Sequence, residues 1–429
     1  MAEANPAPTT SAQPGHEPSK LASLPKAPAS VLVSPGVWIL AAQGNALAIE
    51  TADGVVLVDS GRGGQMTAGM IAELRTLTEA PVTTICYSHG HVGYNAGLPQ
   101  WVDHNAERGD APPRIIAHRN LPLRYDRYRE TEGYQAILNE MQFPGISKRF
   151  DPRKIDPTET FDDHLVVSAS PRVELLWAPS ETDDAISVWL PETRTLYTGP
   201  AVPADFIPNV GTPQRSLRLT GRWANTLDRL IELRPEVLVI EFGPFVTGED
   251  LIQERLSTTA NALRWLRREV VDRLNRGLNE RDILADLDYP DEVFGYPWLT
   301  WAYGSPEYIV RDLVREESGW WDRNPTTLHP SAPADVARAT FDAIADPGAV
   351  IAQAEALAER GDPQLAMHVI DLVALGPDDE PAVVRARSVK SDLCRSRSKQ
   401  IAPYPSKGLY KSSGIRLKQG VISWEGVIE

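Results

Sequence analysis

Runs of residues with strand-like composition stop near residue 248, and the pattern that follows is helical. Before that point, short stretches of apolar and β-branched residues alternate with two longer stretches of helical periodicity, at 66–77 and 217–233. This order is typical of an α/β protein in which helices pack outside β-sheets. The predicted strands are 37–41, 46–50, 55–59, 82–88, 114–117, 165–168, 173–178, 186–190, 195–198 and 237–242.

After residue 248 apolar residues recur at helical spacing. The predicted helices are 250–277, 306–316, 334–345, 349–360 and 363–375. A chain of 429 residues exceeds the usual size of one hydrophobic core, so two folded units are expected. We predict a flexible arm at 1–30, an α/β unit at 31–248, an all-α unit at 249–400 and a tail without assigned structure at 401–429.

Charge and cysteine content narrow the choice of partners. The formal net charge of −15 argues against non-specific nucleic-acid binding and against an anionic membrane surface, because both need a basic face. Two cysteines far apart in sequence, Cys86 and Cys394, exclude a disulfide framework and fit a reducing compartment. The first 30 residues have no apolar stretch of the kind found in secretory signals. We therefore expect a cytoplasmic protein that acts on a small molecule.

The segment that follows the strand at 82–88 carries the clearest chemical signal. His89 and His91 are separated by Gly90, so both imidazoles can turn toward one ion where the chain leaves the sheet. Neutral imidazole is a common ligand of zinc and iron. The alternative is that the two histidines form hydrogen bonds within a loop, and the pair alone does not decide between the two interpretations.

The surrounding motifs resemble those of the metallo-β-lactamase superfamily. Ser88-His89-Gly90-His91 is similar to the start of the first metal motif of that superfamily, His-x-His-x-Asp-His, and Asp59 stands in the usual supporting position before it. The segment 178–184 resembles the next motif in an alkyl-sulfatase-like branch, in which Glu181 takes the place of a histidine. Further similar segments are 186–191, 196–199 and 237–248.

The helical part resembles the alkyl sulfatase dimerisation domain. The similar segments are 301–304, 310–311 and 319–325. Together the resemblances cover roughly residues 35–400 and imply an αββα sandwich followed by an all-α dimerisation-like domain. They also imply that the protein is a homodimer.

The chain departs from the family pattern at the second metal site. The family's second ion uses an aspartate and a histidine where this chain has Gly93 and Tyr94, a bridging acid where it has Pro200, and a histidine where it has Phe242. The ligands that the resemblance assigns to the first ion are all retained. They are His89, His91 and Glu181. The sequence therefore predicts one divalent ion per chain.

Two imidazoles and one carboxylate leave three functions open. With zinc, which we favour, they suit hydrolysis of an ester, including a sulfate ester, of an amphiphilic anionic small molecule. With iron(II) they form the facial triad of oxygen-activating enzymes. The third alternative is a catalytically inactive member that binds a ligand or a partner through the cleft.

Candidate side chains around the ion follow from the same motifs. A single-ion hydrolase needs a further proton-handling group, for which Tyr94, Asp183 and Asp184 are the candidates and Glu241 lies beside the lost histidine. The segment 208–218 resembles the part that lines the anion pocket in the alkyl-sulfatase-like branch. Guanidinium and amide groups hold sulfate or carboxylate through charge-assisted hydrogen bonds. The candidate substrate-binding residues are Asn209, Thr212, Arg215 and Arg218.

Overall fold

A first β-sheet of mixed direction opens the fold. The computed structural model describes residues 30–144 and 155–426, so the predicted arm at 1–30 lies outside the described residues except for Ser30. Neighbours in the sheet follow chain order, with antiparallel pairing from β1 to β4 and parallel pairing from β4 to β7. Its strands are β1 Ser30–Ser34, β2 Val37–Ala41, β3 Asn45–Thr51, β4 Gly54–Val58, β5 Val82–Cys86, β6 Arg114–His118 and β7 Glu159–Phe161.

A second sheet packs face to face on the first. Its strands are β8 His164–Ala169, β9 Arg172–Trp177, β10 Ile186–Leu190, β11 Thr195–Tyr197, β12 Val237–Val239 and β13 Val246–Thr247. Pairing is antiparallel except between β11 and β12. Side chains of both sheets, such as Val56 and Val58 of β4 and Val188 of β10, form the core between them.

Helices cover the outer faces of both sheets. They are α1 Gly64–Leu77, α2 Leu98–Arg108, α3 Leu121–Glu130, α4 Glu132–Gln142 and α5 Thr220–Glu232. Successive side chains of a strand point to opposite faces of the sheet, so β4 contributes to two cores. Val55 and Leu57 pack with helix α1, at Met70 and Leu74. Val56 and Val58 face the other sheet. The predicted αββα layering is confirmed.

A wholly helical unit follows the sandwich in the described part of the chain. Its helices are α6 Glu249–Asn275, α7 Glu280–Asp286, α8 Asp291–Phe294, α9 Pro306–Ser318, α10 Pro325–Leu328, α11 Pro333–Asp342, α12 Pro347–Glu359, α13 Pro363–Ala374, α14 Pro381–Gln400 and α15 Tyr404–Lys418. Among the described residues no helix is both long enough and apolar enough to span a bilayer.

Helix α15 lies in the segment to which the sequence assigned no structure. It packs on α14 and reaches back to α4, where the Ser412 hydroxyl donates to the carbonyl oxygen of Met141 at 2.7 Å. Gly408 permits this approach, because a Cβ there would lie 2.1 Å from the carbonyl oxygen of Gln142. Glycines lower helix propensity, which is why the pattern of this segment did not predict a helix.

One hydrophobic core joins the sandwich to the helical unit. Leu238 of β12 and Trp223 of α5 belong to the same buried cluster as Leu263 of α6 and Ile309 of α9. Gly211, at φ +71°, brings the loop before α5 against α9, where a Cβ would lie 1.9 Å from the carbonyl oxygen of Tyr308. The two units therefore share buried surface close to the cleft described below.

Because Leu263 is fully buried in the shared core, we expect Leu263→Ala to lower the free energy of unfolding by about 2–5 kcal/mol. Denaturant unfolding followed by circular dichroism measures this loss. Leu251→Ala is the matched control, since Leu251 is 44% exposed on the same helix. Equal losses in the two variants would contradict the shared core.

Candidate metal centre

The loop after β5 carries both histidines and is fixed to both sheets. The carbonyl oxygen of Ser88 accepts the Ile186 amide at 2.9 Å, which joins the loop to the start of β10. The Gly90 amide donates to the Asp184 carboxylate at 2.6 Å. A Cβ at Gly90 would lie 2.8 Å from Cδ of Arg124, so a larger residue would displace the loop.

Three potential ligands converge where this loop faces the segment between β9 and β10. One ligand atom from each of His89, His91 and Glu181 lies within 4.8 Å of the other two. Nε2 of His89 is 3.0 Å from Nδ1 of His91, which is 3.6 Å from Oε2 of Glu181. The structure thus brings together the three side chains that the sequence singles out, as a single cation requires.

Burial keeps both imidazoles neutral. It lowers the pKa of His89 to about 4, against the opposing charges of Glu181 and Asp184. Burial, with His89 as neighbour, holds the pKa of His91 well below its usual value. Both rings therefore keep a lone pair for an ion at neutral pH.

Asp59 and Ser88 select the tautomer of His89. The Ser88 hydroxyl lies 2.5 Å from Oδ2 of Asp59 and 2.9 Å from Nδ1 of His89. Burial raises the pKa of Asp59 to about 6, opposed by the hydrogen bonds from Ser88, so its carboxyl is mainly ionised at neutral pH. The hydroxyl then donates to Asp59 and accepts from Nδ1–H, which leaves Nε2 of His89 unprotonated and facing the other two ligands. These residues fit a cation at this position.

Two of the predicted substrate-binding residues hold Glu181. Its Oε1 accepts from Nδ2 of Asn209 at 2.7 Å and lies 3.1 Å from a guanidinium nitrogen of Arg218. Arg218 is buried and also donates to the carbonyl oxygen of Asn209. The Thr212 hydroxyl donates to that carbonyl at 2.9 Å, whereas Arg215 donates to Oε1 of Gln142. All four candidates line one cleft, and Arg215 is the arginine among them without an acidic partner in the described part of the chain.

Asp183 and Asp184 lie on the other side of the histidine loop. Both pair with Arg124, and Asp184 also accepts the Gly90 amide. Neither lines the cleft. Their carboxylates contact Arg124 and the Gly90 amide, so the structure places them behind the histidine loop rather than in the cleft.

Tyr94 and Glu241 form a buried pair beside His89. The Tyr94 ring centroid is 4.3 Å from that of His89, and its hydroxyl donates to Oε1 of Glu241. This oxygen lies 3.9 Å from Nε2 of His89. Burial, with the charge of Glu181 adding to it, raises the pKa of Glu241 well above its usual value.

His91 and Glu181 line a cleft of about 270 Å³, and His89 lies fully buried next to His91. Phe206, Phe242 and Tyr303 form a small apolar cluster in its wall, so Phe242 fills space at the position where the family pattern has a histidine. Polar side chains of α4, including Gln135 and Asn139, face the cleft. These two residues are not among the candidates from the sequence, because its pattern predicted no helix in this segment.

Comparison with known families matches both parts of the chain. Residues 40–241 match the metallo-beta-lactamase superfamily, and residues 279–420 match the alkyl sulfatase dimerisation family.

Curated relatives are alkylsulfatases. A linear primary-alkylsulfatase of Pseudomonas sp. (strain ATCC 19151) is 27% identical over 313 residues, which cover 68% of this chain and 58% of the relative. An (R)-specific secondary-alkylsulfatase of Pseudomonas sp. is 22% identical over 408 residues, which cover 89% of this chain and 61% of the relative. The chain thus spans about three fifths of the length of these relatives.

A solved structure supports the architecture. The stereoselective inverting sec-alkylsulfatase Pisa1 from Pseudomonas sp. aligns with a TM-score of 0.78 at 19% identity, covering 91% of this chain and 66% of that protein. At this identity the likeness establishes the fold, including the helical unit after the sandwich.

The Ser88 hydroxyl links Asp59 to Nδ1 of His89 and so fixes the tautomer and orientation of the ring. We therefore expect Ser88→Ala to weaken zinc affinity by about 10–100-fold. Competition with a chromophoric chelator measures the dissociation constant. Ser391→Ala is the control, since that buried hydroxyl donates to the carbonyl oxygen of Gly414 in the helical unit. Unchanged affinity in Ser88→Ala would rule out the proposed tautomer control.

Proposed function

Since this chain belongs to the metallo-beta-lactamase superfamily and carries an alkyl sulfatase dimerisation domain, we propose that it is a metal-dependent hydrolase of sulfate esters. The observation that carries this proposal is the convergence of His89, His91 and Glu181, two of which, His91 and Glu181, line a cleft. A divalent cation held there would supply Lewis-acid polarisation of an ester oxygen.

The chain's own residues would bind and orient the substrate. Arg215, whose side chain donates to Gln142 and has no acidic partner among the described residues, would attract the sulfate group. Thr212, whose hydroxyl donates to the carbonyl oxygen of Asn209, would hold this part of the cleft wall in place. Asn209 and Arg218 would hold Glu181 in position. Tyr94 is the cleft residue whose hydroxyl would hold a proton near the reacting ester.

The apolar wall of the cleft supports an amphiphilic substrate. Phe206, Phe242 and Tyr303 would contact the hydrocarbon part of the ester and exclude water from it. A substrate with an anionic head and an apolar tail fits this cleft, because the cleft contains both a guanidinium group and an aromatic surface.

We further propose that each chain holds one ion, with zinc favoured. Purified protein should contain about one zinc per chain and release inorganic sulfate from a medium-chain alkyl sulfate. Glu181→Ala should lose most of the metal and the activity, because it removes one of three ligands. Elemental analysis and a sulfate assay measure both quantities.

Glu79→Ala is the matched control, since Glu79 is exposed and pairs with Arg108 far from the cleft. Iron with oxygen-dependent turnover would instead support the facial-triad alternative. Absence of bound metal under metal-replete conditions would support a non-catalytic ligand-binding protein.

We also propose that the protein is a homodimer. The family match in the helical unit names dimerisation, and residues 319–346, here called the exposed arm, carry apolar side chains on their surface. Helices α10 and α11 of this arm contain no buried residue, while Trp320 is 73% and Val336 47% exposed. Exposed tryptophan of this kind is typical of the centre of an interface.

Trp320→Ser combined with Val336→Ser should convert a dimer into a monomer, because it removes apolar surface from the exposed arm. Light scattering after size-exclusion chromatography gives the mass. Leu372→Ser on α13 is the control, since Leu372 is 52% exposed outside the arm. A wild-type protein with the mass of one chain would contradict the homodimer.

A further inference from the structure

Two acidic side chains lie next to the histidine loop in the cleft. They are Glu181 and Glu241, and both are part of the cleft lining. Arg218 pairs with Glu181 at 3.1 Å. Among the described residues no lysine or arginine pairs with Glu241. The nitrogen of His89 that lies within 4 Å of its carboxylate is Nε2.

Packing confines Glu241 to this place. Glu241 is 1% exposed, and its backbone amide and carbonyl form hydrogen bonds with Val202 and Asn45. A Cβ at Gly44 would lie 3.3 Å from Cγ of Glu241 and 3.4 Å from Cε1 of Tyr94. These contacts keep the carboxylate of Glu241 buried beside His89.

A buried carboxylate with one hydroxyl donor and no cationic partner is costly unless another positive charge is present. The nearest position for such a charge is the one enclosed by His89, His91 and Glu181. Oε1 of Glu241 is 3.9 Å from Nε2 of His89, and it would join the other three ligand atoms, which lie within 4.8 Å of one another, by a shift toward His91 and Glu181.

We propose that Glu241 is a fourth protein ligand of the ion bound by His89, His91 and Glu181, and that Tyr94 positions it through its hydroxyl. This inference rests on the proposed metal site but not on the reaction. Asp205, the other acid near this wall, does not fit the role, because it is exposed and pairs with Arg255 at 2.9 Å.

The test measures metal binding to the full-length protein in the absence of substrate. Glu241→Gln retains the shape of the side chain and should weaken zinc affinity at least about tenfold. In the cobalt(II)-substituted protein it should also change the visible absorption bands, which report the number and type of ligands. Asp205→Asn is the control and should leave affinity and spectrum as in the wild type. Thermal unfolding of the metal-free variants checks that both are folded.

Unchanged zinc affinity and cobalt spectrum in Glu241→Gln, while Glu181→Ala loses the metal, would overturn this inference and leave the proposed function intact. Weakened affinity and an altered spectrum in Glu241→Gln would support Glu241 as a ligand. If the metal-loaded wild-type protein at the same time releases no sulfate, the proposed reaction is rejected. Tyr94→Phe adds a second readout: it should alter the cobalt spectrum less than Glu241→Gln, and an equal change would mean that Tyr94 rather than Glu241 contacts the ion.

Discussion

The buried carboxylate of Asp59 organises the loop on which the candidate site depends. Its backbone lies in the left-handed region, at φ 66°, which is uncommon for a residue other than glycine. Strain of this kind persists only where surrounding contacts impose it. Here the contacts are the Ser88 amide and hydroxyl and the Asn95 amide, which all donate to the Asp59 carboxylate. Asn95 in turn accepts the Ser60 amide, so both ends of the loop are tied to the end of β4.

The helical unit takes part in building the cleft. The Arg218 amide lies 3.4 Å from a carboxylate oxygen of Asp312 on α9, so the loop that holds Glu181 rests on a helix of the second unit. On the opposite side, α15 packs on α4 at Gln142, which accepts from Arg215 and donates to the carbonyl oxygen of Pro213. Both arginines of the cleft are therefore oriented by contacts that cross between the units. A sandwich without the helical unit would lose these supports.

The sequence predicted the architecture and the convergence of His89, His91 and Glu181 better than the groups around them. Strand β4 is apolar throughout, β5 is rich in β-branched residues, and the two histidines lie in the loop after β5, so both signals are local. Helix α4 is short, and the polar residue Gln142 takes one of its three buried positions, so its apolar pattern is incomplete. The position of Glu241 beside His89 depends on two segments that are about 150 residues apart. No local pattern encodes such a distance.

The ion pair of Arg218 with Glu181 also joins distant segments, so the sequence did not predict it. This pair changes the electrostatics of the cleft. From the sequence Arg218 is one of two arginines for an anion, but in the structure its charge is largely offset by Glu181. Arg215 is then the cleft arginine left for an anion, in a protein whose formal charge is −15. A divalent ion at the proposed site would add positive charge beside Glu181 and Glu241 and would leave the charge of Arg215 available to the substrate. Metal binding and anion binding would therefore be coupled, because a cation held by these side chains would attract the anion that Arg215 also attracts.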